Sequence, residues 1–437
     1  MQNRLTLARP IGARGIRVMG MLAKGRAPLL VFGLALVCLL ATPVALAKAR
    51  EVAPHEWEGV ERVIALGDVH GDYEQYFRVL KAAGLVDRRG RWDGGETHLV
   101  QTGDVPDRGP DTRMILDHLE KLKKGAERKG GRVHTLIGNH DAMNVYGDLR
   151  YVTPGEYEAF VGKNSERFRE AQWEYHLQTI EARDPEAFAA LDQEAFRKEW
   201  EADYPLGWVE HRQAWRPDGD YGALVLANPV VLRIDDTLFL HGGLSAKYCA
   251  LSLEEIASRA HEEMRNYNYA DPGMIEDPLG PLWYRGLARD NEDRRMAMVD
   301  AVLARYGASR IVVGHDPTQG IVWPRFDGKV VLNDVGLAAH YGGHFAFLEL
   351  TGGKAIAHYA DGQTIELPAD KDGRLAYLEQ VVALDPDNAF LQSRLERLRM
   401  AAASPPSDTP PDLDAMSEEE RAAYEREEAW LSRDNSR

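Results

Sequence analysis

Residues 98–109, HLVQTGDVPDRG, decide the fold. An apolar run, HLVQT, stops at Gly103-Asp104, and residues 103–109 then crowd two aspartates, an arginine, a proline and two glycines into one segment. Neither helix nor strand accommodates such a segment, so it is a turn. A single turn of this kind is ordinary surface chemistry, but here the arrangement recurs. RVIAL runs into Gly67-Asp68 and RVHTLI into Gly138-Asn139, so the pattern occurs three times between Glu61 and His140. The intervening YEQYFRVLKAAG and TRMILDHLEKLKK carry helical periodicity. Strands alternating with helices predict an α/β fold with βαβ units and a largely parallel sheet. Ligands bind at the carboxyl ends of such strands, which is where the polar turns fall.

The rest of the 437-residue chain fits that frame, with 44% hydrophobic and 28% charged residues, the balance of a globular protein. Residues 1–47 stand apart. They hold six basic residues and no acid, then the apolar run LLVFGLALVCLLA, then Ala45-Leu46-Ala47, which predicts a secretory signal and an exported, periplasmic or secreted product. The run falls short of the roughly 20 apolar residues of a membrane span, although retention as an anchor is the alternative. Without this segment the net charge moves from −16 to −22, which argues against nucleic acid and anionic membrane as partners. One cysteine then remains, Cys249, expected to be a buried thiol.

Residues 61–367 are expected to form the catalytic domain. Within it, residues 155–203 are rich in Glu, Ala, Arg and aromatics and predict two or three inserted helices. The strand pattern resumes with GALVLANPVVLRID (222–235) and with TLFL, which runs into His241-Gly242-Gly243; SRIVV later runs into Gly314-His315. Residues 368–402 predict a helical hairpin packed on the core, and residues 403–437 a flexible acidic tail.

Collected in order, the strand ends supply Asp68, His70, Asp104, Asn139, His241 and His315, oxygen and nitrogen donors without a thiolate. That set suits manganese, iron or zinc. Asp68 and His70 lie two apart, so in extended geometry they face the same way and can share an ion. Asp104 has two oxygens and could bridge that ion to a second one completed by Asn139, His241 and His315. Two ions about 3.5–4 Å apart clamp the attacking and leaving oxygens of an in-line displacement at phosphorus and acidify a bridging water. Arg108 then offers its fork to a phosphate, and Asp107 orients His140 to protonate the departing oxygen.

GDVHG, GDVPDRG, GNHD and HGGL resemble the sequence blocks of the calcineurin-like metallophosphoesterases. The Asp-Arg pair of GDVPDRG narrows the resemblance to the phosphoprotein phosphatases, and GNHDAMNVYGDLRYV with PLWYRG to their Shewanella-like bacterial branch. The resemblance covers roughly residues 61–365. It implies two mixed β-sheets packed as a sandwich and flanked by helices, with two divalent metal ions, manganese foremost. It assigns Asp68, His70 and Asp104 to one ion and Asp104, Asn139, His241 and His315 to the other. His140 with Asp107 matches the acid pair, Arg108 and Arg285 the phosphate arginines, and Asn139 also faces the phosphate. The substrate it implies is a phosphoprotein, on tyrosine or on serine and threonine; a small molecule such as a diadenosine polyphosphate or nucleotide is the alternative. LNDVGLAAHYGG stands near where the eukaryotic toxin-binding loop would be, so insensitivity to okadaic acid and microcystin is expected. His340 and His344 of that stretch are expected to be non-catalytic.

Overall fold

The computed structural model describes residues 52–403, so the signal pattern of residues 1–47 and the acidic tail from residue 404 onward lie outside the described residues. In chain order the strands are β1 (Glu56–Trp57), β2 (Arg62–Leu66), β3 (His98–Gln101), β4 (Arg132–Thr135), β5 (Val231–Ile234) and β6 (Thr237–Leu240). They continue with β7 (Arg310–Val313), β8 (Trp323–Arg325), β9 (Val330–Leu332), β10 (Ala346–Thr351), β11 (Lys354–Tyr359) and β12 (Thr364–Glu366). Two six-stranded sheets result, ordered β1-β5-β6-β7-β9-β8 and β12-β11-β10-β2-β3-β4. Both are mixed: β2, β3 and β4 pair in parallel as the repeat predicted, while β10, β11 and β12 extend that sheet antiparallel.

Register matters more than strand count. Leu66 pairs with Gln101 and Gln101 with Thr135, so β2, β3 and β4 end level. Across the molecule Leu240 pairs with Val313 and Val313 with Leu332, so β6, β7 and β9 end level too. The strands that end level are mostly buried; Leu99, Val100, Phe239 and Val312 are 0% exposed and belong to one shared core. Strands covered on both faces read as continuous apolar runs, which is why the sequence shows them clearly.

The insertion is longer than the sequence suggested. Helices at Pro154–Glu158, Ser165–Arg183, Pro185–Ala189 and Gln193–Asp203 are followed by two more, Trp208–Trp215 and Asp220–Val225. The stretch Gly222–Val225, expected in a strand, is therefore helical. Its buried side chains Tyr221, Leu224 and Val225, with Gly222 between them, have the i, i+3, i+4 spacing of a helix face. A four-residue apolar run carries too little periodicity to separate a buried helix turn from a strand. Beyond β12, helices Arg374–Leu384 and Ala389–Ala403 pack on the core: Tyr377 is buried and its hydroxyl donates to the Val322 carbonyl at 2.6 Å. Among the described residues no helix is long and apolar enough to cross a membrane.

Three histidines remote from the strand ends tie stability to pH. His98 and His134 sit side by side on β3 and β4, both buried, with 3.1 Å between Nδ1 of His98 and Nε2 of His134. His211 is fully buried, meets the rings of Tyr157 and Phe160, and has no hydrogen-bond partner at either nitrogen. Burial, helped by nearby cationic side chains, pushes His98 down to about 4 and His211 to about 3, and pushes His134 well below the ordinary value. These rings are neutral when folded and take up protons on unfolding. Their contribution is therefore present above pH 6.5 and is lost as pH falls toward the folded values. A loss on the order of 1–2 kcal/mol per histidine is expected between pH 7 and pH 5. Denaturant titrations at the two pH values check this, and His211→Phe, which keeps both ring contacts, should lose less stability than the parent.

Candidate active site

Turns rather than elements position the side chains, and the backbone is bent hard to do so. His70, Asp104, Asp107, Arg108 and His315 have φ of +41°, +56°, +72°, +70° and +69°. Each such conformation costs a non-glycine residue roughly 1–2 kcal/mol. They are half of the ten non-glycine residues with positive φ among the described residues, so the strain is concentrated at the strand ends. His70 is thus not in the extended geometry that its spacing from Asp68 suggested. The glycines make the approach possible: a Cβ on Gly138 would lie 2.1 Å from Oδ1 of Asp104, and one on Gly71 would lie 2.4 Å from the Gly109 carbonyl.

Two groups of donors converge on Asp104. His70, Asp104 and His140 place ligand atoms within 4.8 Å of one another, as do Asp104, His241 and His315. All five are buried. Asp104 Oδ2 lies 3.8 Å from His70 Nε2, 3.8 Å from His140 Nε2 and 3.3 Å from His241 Nε2, the position of a bridging carboxylate. Asp68 stands just outside the tight groups. Its Oδ2 is 3.9 Å from His70 Nε2, and the carboxylate accepts the backbone N–H of His315 at 3.1 Å.

Hydrogen bonds fix which ring nitrogens face inward. His70 Nδ1 donates to the Pro106 carbonyl and His241 Nδ1 to the Thr102 carbonyl, each at 3.0 Å. Both Nε2 atoms then carry lone pairs, the tautomer that metal-ligating histidines adopt. His241 Nε2 faces Asn139 Oδ1 at 3.0 Å and Asp104 Oδ2 at 3.3 Å, lone pair against lone pair. His315 Nε2 is buried without a partner. Donor atoms so crowded and so short of hydrogens fit a divalent cation, with oxygen and nitrogen donors of the kind manganese, iron and zinc accept.

His140 is held differently. Its Nδ1 donates to Asp107 Oδ2 at 2.5 Å, while Asn144 Nδ2 donates to the other Asp107 oxygen at 3.0 Å. Burial alone would lower the His140 pKa, but the charge of Asp104 and the bond and charge of Asp107 outweigh it and raise the imidazole above its ordinary value. Arg108 stacks its guanidinium on Tyr151, 4.0 Å from the ring centre, and its buried Nε has no partner. Arg285 lies against the His315 carbonyl, but its Nη1 is engaged by Asp316 at 2.6 Å, a carboxylate it shares with Arg289.

Several residues here escaped the sequence reading. Asn144 lies four after His140 on the helix Asn139–Tyr146, so the i, i+4 spacing was an available signal. Glu156 accepts the Asp107 N–H at 3.3 Å and the Thr112 hydroxyl at 2.7 Å, buttressing the turn from 49 residues away in sequence, and no local pattern reveals that. Tyr151 and Tyr341 set rings 4.9 Å from His140 and 5.1 Å from His70, and contacts of this range are invisible in one dimension.

The class follows from this geometry and from comparison with known proteins. The chain belongs to the calcineurin-like phosphoesterase family, whose sequence profile matches residues 61–319. It is a phosphatase-type metallophosphoesterase, a hydrolase of phosphoesters. More particularly, it is 33% identical over 307 residues to Shewanella-like protein phosphatase 2 of Arabidopsis thaliana, covering 66% of this chain and 74% of that one. Shewanella-like protein phosphatase 1 of Plasmodium berghei is 28% identical over 269 residues, 60% of this chain and 62% of that one. Among solved structures, a cold-active protein tyrosine phosphatase superposes with a TM-score of 0.56 at 26% identity, over 72% of this chain and 81% of that chain. The cold-active protein-tyrosine phosphatase of a psychrophilic Shewanella gives 0.55 at 26% identity, over 72% and 83%.

Proposed function

We propose that this chain is an exported phosphomonoesterase that holds two divalent ions, manganese foremost with iron or zinc as alternatives, and removes phosphate from phosphoproteins. The observation that carries the reading is the convergence on Asp104 of His70 and Asp68 from one side and of Asn139, His241 and His315 from the other, donors without hydrogens between them. When bound, the ions would supply positive charge for the phosphate oxygens and activate a water. The protein does the rest. Arg108, held flat by Tyr151, presents a bidentate fork to the phosphate. His140, kept protonated by Asp104 and Asp107, gives the proton of Nε2 to the leaving oxygen. Arg285, whose Nη1 is engaged by Asp316, would help hold the phosphate through its remaining N–H groups. Phosphotyrosine as a substrate is supported by the tyrosine phosphatases among the structural relatives and by the two tyrosine rings beside His140 and His70. Export rests on the sequence pattern of residues 1–47.

Phosphate release by residues 48–437 in Mn²⁺, compared on a phosphotyrosine peptide, a phosphothreonine peptide and diadenosine tetraphosphate, tests this. Preference for either peptide is expected. Turnover of the dinucleotide alone would move the substrate to small-molecule phosphates, and no turnover of any of the three would overturn the reading.

A further inference from the structure

Outside the site, this acidic chain carries a basic hollow. It is a cavity of about 960 Å³ lined by the helices Tyr73–Ala82 and Thr112–Glu127 and by the loop 87–93. Arg88, Arg89, Arg91, Lys121, Arg128 and Lys129 face two carboxylates there, Asp87 and Asp93. Both carboxylates are already engaged. Asp87 pairs with Arg91 at 2.7 Å and accepts the backbone N–H groups of Arg89 and Arg91, and Asp93 pairs with Lys129 at 3.2 Å. Four cations are left over. Arg88, Arg89, Lys121 and Arg128 are exposed and have no side-chain hydrogen bond or ion pair among the described residues. So local an excess of positive charge, in a chain of net charge −16, is a surface that selects anions.

The hollow is built rather than loose. Val86 bridges to Trp92 across the loop, and the buried His118 donates Nε2–H to the Gly90 carbonyl at 2.7 Å. Tyr73 and Phe77, stacked with ring centres 5.6 Å apart, and the exposed Met114 add apolar surface to the same lining. Lys121 and Arg128 stand seven residues apart along one helix, about 10 Å, while Arg88 and Arg89 project from the loop. Charge so spread suits several carboxylates along an extended chain better than one phosphate. The hollow also begins beside the site. Tyr73 comes three residues after His70, and the helix Thr112–Glu127 starts four residues after Arg108. The Asp111 N–H donates to the Gly71 carbonyl at 2.9 Å, which joins the two helix starts directly behind the turns that carry His70 and Arg108.

We propose that this hollow docks an acidic segment of the phosphoprotein substrate, with an apolar side chain of that segment against Tyr73, Phe77 and Met114, while the phosphorylated residue occupies the site. The inference rests on the phosphoprotein reading above and adds the sequence class of the substrate.

Paired phosphopeptides test it. Both members of a pair share the phosphorylated residue and its immediate neighbours; one continues into a run of Asp and Glu, the other into a run of Ser and Gly. The run precedes the phosphorylated residue in one pair and follows it in a second. Kinetics are compared for the parent, for Arg88→Glu with Arg89→Glu, and for Lys121→Glu with Arg128→Glu. These side chains are exposed, so the fold should hold and turnover of p-nitrophenyl phosphate should stay parental. The parent should favour the acidic peptide of at least one pair by about 10-fold in kcat/KM, chiefly through KM, and less so as salt is added. Each double reversal should abolish the preference. Equal kcat/KM for acidic and neutral peptides in both pairs, or a preference that survives both reversals, would overturn the inference and leave the phosphoprotein reading standing. Hydrolysis of p-nitrophenyl phosphate without turnover of any peptide would overturn that reading and this inference with it. Binding of the parent to anionic vesicles, lost in both reversals and without any peptide preference, would assign the hollow to a lipid surface instead.

Discussion

Asp104→Asn is expected to lower kcat/KM by at least about 10³-fold, on the order of 4 kcal/mol of lost transition-state stabilisation, and to strip bound metal. Asp104 Oδ2 is the one oxygen near the ring nitrogens of His70, His140 and His241 together, so it is the atom through which both donor groups communicate. In the variant an amide NH₂ placed there would donate to His241 Nε2, filling the lone pair that a cation needs. The backbone should tolerate the change: φ at residue 104 is +56°, a conformation that Asn adopts more readily than most residues, and Oδ1 can still accept the His140 N–H, now at 2.8 Å. Metal analysis alongside kinetics on one phosphopeptide checks both losses. Retention of parental metal with activity within tenfold would mean that Asp104 does not bridge.

The legible part of this fold was the part governed by local rules. Level strand ends followed by Gly-Asp, Gly-Asn or His-Gly turns appear in one dimension because a buried parallel strand must be continuously apolar and the turn after it must bend sharply. Asp68, His70, Asp104, Asn139, His241 and His315 were all named that way, and the structure groups His70, His241 and His315 around Asp104, with Asp68 beside His70 and Asn139 beside His241. What stayed hidden depends on contacts between distant segments. Glu156 under the Asp107 turn, Tyr151 beneath Arg108 and Tyr341 beside His70 obey no spacing rule. The helical Gly222–Val225 shows the opposite error, an apolar run too short for its period to be read.

His140→Asn should separate proton delivery from metal binding. By distance alone His140 qualifies as a ligand, since its Nε2 is 3.8 Å from Asp104 Oδ2 and it shares a donor group with His70. Its hydrogen bonding says otherwise. His70 and His241 give Nδ1–H to neutral backbone carbonyls, whereas His140 gives it to the carboxylate of Asp107, itself held by Asn144. The Asp104 charge and the carboxylate partner raise the His140 pKa, which favours the doubly protonated ring, a form that offers no lone pair. The substitution should then lower kcat on a phosphopeptide by about 10²–10⁴-fold with KM and metal content nearly unchanged. The loss should shrink on p-nitrophenyl phosphate, whose leaving group needs no proton. In the parent, kcat on the peptide should fall as pH rises through the His140 pKa, because the acid form is lost, and the variant should lack that limb. Loss of metal from His140→Asn, or an equal rate loss on both substrates, would make His140 a ligand rather than the acid.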